Sequence, residues 1–180
     1  LAAARAAAER ALALAPELAE SLTSAALVRQ LDGDWESAEE VLRAAIAAND
    51  GYAVARHRLA LLLAWTGRTG EARAEIAQAL EIDPLSPVLA TARGWIEYYA
   101  GELPAARDLL LAVVAESPGF AAAHVPLALT LIGLGDGESA ASWTARHLAI
   151  AGRTSAAIAL DGLAQGRAGR IQVAAGHLHA

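Results

Sequence analysis

The 180-residue sequence has no cysteine, no methionine and no lysine, and aromatic residues make up only 4% of it. Without cysteine there is no disulfide framework and no thiolate metal site, and the redox compartment leaves no trace in the composition. The 14 basic residues, all arginine, face 20 acids, for a formal charge of −6. That balance argues against a surface built to neutralise phosphates, so direct nucleic-acid binding is not expected. Long apolar runs are missing too. The longest uncharged stretch, residues 117–135, is interrupted by Pro118, Gly119, His124, Pro126 and Gly133, which do not suit a membrane span. No charged segment followed by an apolar core and a cleavage site opens the chain, so no signal peptide is expected. What remains is helical vocabulary, with 49 Ala and 27 Leu.

These residues repeat. A period of 34 aligns Gly33, Gly67, Gly101, Gly135 and Gly169 in one column, and Ala4, Ala38, Ala72, Ala106, Ala140 and Ala174 in another. A third column is small throughout (Ala26, Ala60, Gly94, Ala128, Gly162), and a fourth reads Pro16, Asp50, Pro84, Pro118, Gly152. Each column has a physical reason. Glycine ends a helix in the left-handed conformation without a Cβ clash. Proline stops the next helix because it lacks an N–H. Small residues let two helices cross closely beside Leu42, Ile76 and Leu110. The unit is therefore a helical hairpin. Its first (A) helices are expected over 19–32, 53–66, 87–100, 121–134 and 155–166, and its second (B) helices over 35–48, 69–82, 103–116, 137–150 and 170–180. Residues 1–15 form an unpaired B helix, and Asp34 is expected to cap the B helix that follows it.

These columns resemble the tetratricopeptide repeat (TPR) from end to end. The resemblance implies an all-α fold, an α-α superhelix or solenoid of antiparallel hairpins. It divides the chain, read as a single solenoid over 1–180, into a truncated repeat (1–18), four whole repeats (19–52, 53–86, 87–120, 121–154) and a partial one (155–180). The match departs from the family at the fourth position (Leu22, Arg56, Ala90, His124, Ile158) and the eleventh (Arg29, Leu63, Glu97, Leu131, Gln165). Phrases such as "GDWESAEEVLRAAIAANDGYAVARHRLALLLAWTGR" and "AGRTSAAIALDGLAQGRAGR" are similar to the TPR region behind bacterial winged-helix regulators and behind some adenylate cyclase and protein kinase domains. A half-unit at Leu1 and the missing methionine lead us to expect more chain upstream.

In this family the A helices line a concave wall. The ligand-facing positions that the resemblance implies are His57, Arg58, Leu61 and Trp65, then Thr91, Trp95, Tyr98 and Tyr99, then Val125, Leu129 and Ile132, with Thr23, Leu27 and Gln30 extending the wall. Two of the four Trp and two of the three Tyr fall in this set. Their rings suit an amphipathic peptide, while packing against neighbouring helices is the competing role. Trp35 and Trp143, near or within B helices, are read as packing residues. The chaperone-type carboxylate clamp is excluded, because only Arg58 stands at a matching basic position.

Catalytic signals are weak throughout. "GLGDG" at 133–137 imitates a nucleotide loop but joins two helices, and "DGDW" at 32–35 has too few oxygen ligands for a cation. No His pair has the i, i+4 spacing of a helical metal site. No catalytic, metal or cofactor-binding residue is assigned, no cofactor is expected, and the chain is not expected to be an enzyme. The reading is a noncatalytic, cytoplasmic interaction module. Its partner is a peptide or protein segment, of another protein or of an upstream domain of the same chain, with homo-oligomerisation a further option. The alternative is a sensory domain of a regulator or signalling enzyme that responds to a small molecule or to oligomerisation.

Overall fold

The structure, a computed structural model, describes residues 2–170. Among them are ten α-helices, one short 3-10 turn and no strand. The helices are α1 (Ala2–Leu14), α2 (Ala19–Leu31), α3 (Trp35–Ala48), α4 (Ala53–Trp65), α5 (Thr69–Ile82), α6 (Pro87–Tyr99), α7 (Leu103–Glu116), α8 (His124–Gly133), α9 (Gly137–Ala151) and α10 (Ser155–Arg167). The chain forms two compact units, Leu1–Leu89 and Ala90–Ala180.

The glycine column does what its chemistry demands. Gly33, Gly67, Gly101, Gly135 and Gly169 all have φ between 76° and 85°. In each case the next residue's N–H reaches back to the carbonyl of the fifth residue before it, as from Asp34 to Arg29 (2.9 Å) and from Arg68 to Leu63 (2.8 Å). The glycine's own N–H bonds to the carbonyl three residues before it, from Gly33 to Gln30 and from Gly67 to Ala64. This double closure satisfies the orphan carbonyls of the A helix and turns the chain into the B helix.

The expected helix bounds hold to within about a residue, with one correction. In place of a continuous helix over 121–134, the chain makes a 3-10 turn at Ala121–Ala123, and α8 begins at His124. Pro126 is the physical reason. It has no N–H for the carbonyl of Ala122, and its ring would clash with that carbonyl in an α-helix begun at Ala121. The expected helix over 170–180 lies outside the described residues beyond Arg170.

In the first unit, α1 lies on α2, and successive helices pair from α2 to α5. Ala26, Ala38, Ala60 and Ala72 are completely buried, as are Leu59 and Leu63, with Leu42 and Ile76 at 1% exposure. Each of these large side chains contributes about 1.5–3 kcal/mol by leaving water. Arg68 bonds Glu39 of α3 and Glu71 of α5, and Arg43 shares the same two carboxylates. In the second unit, α7 packs on α8, α8 on α9 and α9 on α10 around Leu110, Leu127, Leu131, Ala140 and Ala164. The buried Thr144 hydroxyl donates to Asp161 across α9 and α10.

The glycines of the nucleotide-loop imitation at 133–137 each have a structural place. Gly135 is the left-handed turn residue. A Cβ on Gly133 would stand 2.9 Å from Leu103 Cδ1, and one on Gly137 would stand 2.4–2.6 Å from the backbone of Arg167 and Ala168. The loop is a helix–helix crossing.

Candidate functional site

The residues of the expected wall fall on four A helices. Those of α2 and α4 belong to the first unit; Thr91, Trp95, Tyr98 and Tyr99 of α6 and those of α8 belong to the second.

On α4, the positions separate by burial. His57 is buried, at 9% exposure, so its imidazole is not presented to a ligand. Burial, helped by the charge of Arg58, lowers its pKa from an ordinary 6.5 to about 4 and keeps it neutral. Arg58 and Leu61 are half-buried, and the Arg58 Nε is buried without a hydrogen-bond partner. Trp65, the last residue of α4, is 43% exposed. On α2, Gln30 Nε2 is likewise buried without a partner, whereas Thr23 is buried and donates its hydroxyl to the carbonyl of Ala19.

Trp35, read from the sequence as a packing residue, packs edge-to-face on Trp65, their ring centroids 6.1 Å apart and their planes at 81°, yet it remains 42% exposed. Its place as the first residue of α3 was visible in the sequence. Its exposure depends on how α3 and α4 cross, which residue spacing does not encode.

On α6, Thr91, Trp95, Tyr98 and Tyr99 follow i, i+4, i+7 and i+8 spacing and so share one helix face. Trp95 stacks on Tyr99 at 5.4 Å, with planes 16° apart, and meets Tyr98 edge-on at 5.5 Å; the two tyrosines lie 5.6 Å apart. Tyr99 is 41% exposed, while Trp95 and Tyr98 are half-buried. Thr91 is buried, and its hydroxyl has no partner among the described residues.

On α8, Val125 and Leu129 are half-buried, and Ile132 is buried. The cluster sequence reasoning missed is centred on His124, which is 1% exposed and has no hydrogen-bond partner on either ring nitrogen among the described residues. Trp143 lies 5.2 Å from it and His147 6.2 Å, and the Arg146 guanidinium sits 4.6 Å over the Trp143 ring. Burial first, then the charges of His147 and Arg146, push the His124 pKa down. Trp143 packs against the core of the second unit, as the sequence suggested.

Among the described residues no cluster of three or more His, Asp or Glu side chains could hold a metal ion, and no helix is long and apolar enough to cross a membrane.

Residues 30–96 match the tetratricopeptide repeat family. No curated protein matches the chain. Among solved structures, it is similar to a tetratricopeptide repeat protein from Parabacteroides merdae, with a TM-score of 0.81 and 16% identity over 96% of this chain and 67% of that one. It is also similar to PilW, a type IV pilus biogenesis factor, with a TM-score of 0.79 and 21% identity over 96% of this chain and 80% of that one. A third similar structure is YrrB, described as having an unusual peptide-binding site, with a TM-score of 0.58 and 17% identity over 96% of this chain and 89% of that one. At these identities the likeness establishes the fold.

Proposed function

We propose that this chain, which carries tetratricopeptide repeats and has their fold, is a noncatalytic module that binds a peptide or protein segment, with Trp95, Tyr98 and Tyr99 forming its principal contact surface in the second unit. The observation that carries this reading is the three-ring cluster on one face of α6, half-open to solvent in a chain with few aromatics. Rigid aromatic rings bury large areas at low conformational cost, and their polar tips orient a ligand. The peptide-binding site of YrrB, on a similar fold, supports the same use here. The phrasing of the repeats supports a place inside a larger bacterial regulatory protein, in the cytoplasm, behind an output domain. His57 and Thr91 act from the interior and are not contact residues.

The test is a peptide selected from a random display library against the whole chain. We expect Trp95→Ala and Tyr99→Ala each to weaken its binding at least ten-fold while circular dichroism shows the helices intact. Unchanged affinity in both variants would overturn the assignment.

A further inference from the structure

Trp35 and Trp65 form a second aromatic feature, which lies in the first unit. Trp35 is the first residue of α3 and Trp65 the last of α4. Both are more than two-fifths exposed, and their rings meet edge-to-face with perpendicular planes.

An open indole face carries the negative lobe of the ring quadrupole and attracts a cation within about 6 Å of its centroid. The chain supplies that cation at Trp143, where Arg146 lies over the ring. Among the described residues, no arginine lies over Trp35 or Trp65. The nearby cations are otherwise engaged: Arg29 donates its Nε to Ser37, and Arg68 is held between Glu39 and Glu71.

The charges next to the pair are acidic. Asp34 and Glu36 flank Trp35 in the chain, and both are exposed. Four carboxylates of this unit are paired with arginine: Asp32 with Arg5, Glu75 with Arg56, and Glu39 and Glu71 with Arg43 and Arg68. Asp34 uses one oxygen to cap α3 at the Ser37 N–H, and among the described residues neither Asp34 nor Glu36 makes an ion pair. These two carboxylates offset the positive end of α3, while α4 presents its negative end at Trp65. An acidic partner would be repelled here, and a purely apolar one would leave the carboxylates unused.

We propose that the Trp35–Trp65 pair, with Asp34 and Glu36 beside it, is a docking site for a basic segment of a partner protein, an arginine or lysine side chain lying over the indoles with its charge facing the two carboxylates. The site is independent of the α6 surface and would stand if that assignment failed.

The experiment uses the whole, isotopically labelled chain and follows its four tryptophan indole N–H signals, with Trp35 and Trp65 assigned by Trp→Phe variants. The probes are three peptides of equal length, alternating serine with arginine, glutamate or leucine. The arginine peptide is expected to shift the Trp35 and Trp65 signals, to leave Trp95 unmoved, and to weaken as salt is added. Trp65→Leu, which keeps an apolar side chain without a π face, should lower its affinity at least five-fold. Asp34→Asn with Glu36→Gln should lower it at least three-fold; asparagine retains the helix cap, so this variant tests charge without loss of fold. Unmoved Trp35 and Trp65 signals, an equal response to the leucine or glutamate peptide, or unchanged affinity in the charge variant would each overturn the proposal. Trp95→Ala should leave this binding unaffected, which separates its failure from that of the α6 surface.

Discussion

Gly94 occupies the position that Ala26, Ala60 and Ala128 hold in other hairpins, and Leu110 on α7 explains the smaller residue. A Cβ added at Gly94 would lie 2.6 Å from both Cγ and Cδ2 of Leu110, a completely buried side chain. Alanine would gain about 1 kcal/mol of helix propensity over glycine, but overpacking a filled core costs about 1–3 kcal/mol. We expect Gly94→Ala to be destabilising by about 1 kcal/mol in urea unfolding, and the double variant with Leu110→Ala to be more stable than the sum of the two singles. A stabilised Gly94→Ala, or strict additivity, would show that Leu110 yields freely. The small-residue column was legible in the sequence because any close helix crossing needs it. The burial of His57 and Thr91 was not, since neighbouring positions on one helical face differ in exposure according to which helix crosses above them.

Helix starts divide into those with a side-chain cap and those without. Asp34, Asp136 and Thr154 accept N–H bonds from Ser37, Ser139 and Ala157 at 3.0–3.2 Å, whereas α5 and α7 begin after Arg68 and Glu102 with no side-chain cap. Glu102 is exposed and one methylene too long for the bond its counterparts make. Glu102→Asp should let the carboxylate accept from the Ala105 N–H, stabilising the chain by about 0.5–1 kcal/mol and raising its melting temperature by roughly 1–4 °C. Asp136→Ala should move it by a similar amount in the opposite direction; a melting temperature that Glu102→Asp leaves unchanged or lowers would show that the α7 start cannot take a cap. At this scale the sequence was most legible: a glycine that must turn left-handed and an aspartate at a helix start are local requirements, satisfied by a few neighbouring residues. The exception, the 3-10 turn before α8, is local too, but there the regularity of the 34-residue period masked the demand of Pro126. The edge-to-face meeting of Trp35 and Trp65 is of another kind, because it joins residues 30 apart through the crossing of two helices.

At the scale of the whole molecule, the perturbed acids and imidazoles act in one direction. The folded imidazole of His57 titrates near 4 instead of 6.5, and that of His124 is also lowered by burial. Between those values the unfolded chain binds protons that the folded chain refuses, so stability is full above about pH 6.5 and is lost as pH falls toward 4. For His57 alone the full loss is roughly 3 kcal/mol, from 1.36 kcal/mol per pKa unit. The carboxylates of Asp32, Glu39, Glu71 and Asp136 are also lowered: hydrogen bonds from Arg5, Arg68 and Ser139 lead at Asp32, Glu71 and Asp136, while at Glu39 burial is the largest single effect and opposes the shift, but the bonds and charges of Arg43 and Arg68 together exceed it. Their contribution has the same sign but is lost at lower pH, below the ordinary carboxylate range. The denaturation midpoint should therefore fall in two stages on acidification, the first between pH 6.5 and 4 from the imidazoles, the second below it from the acids. His57→Leu should flatten the first stage and spare the second. A midpoint constant from pH 7 to pH 4.5, or a first stage that survives in His57→Leu at full depth, would place the acid sensitivity outside the buried imidazole of α4.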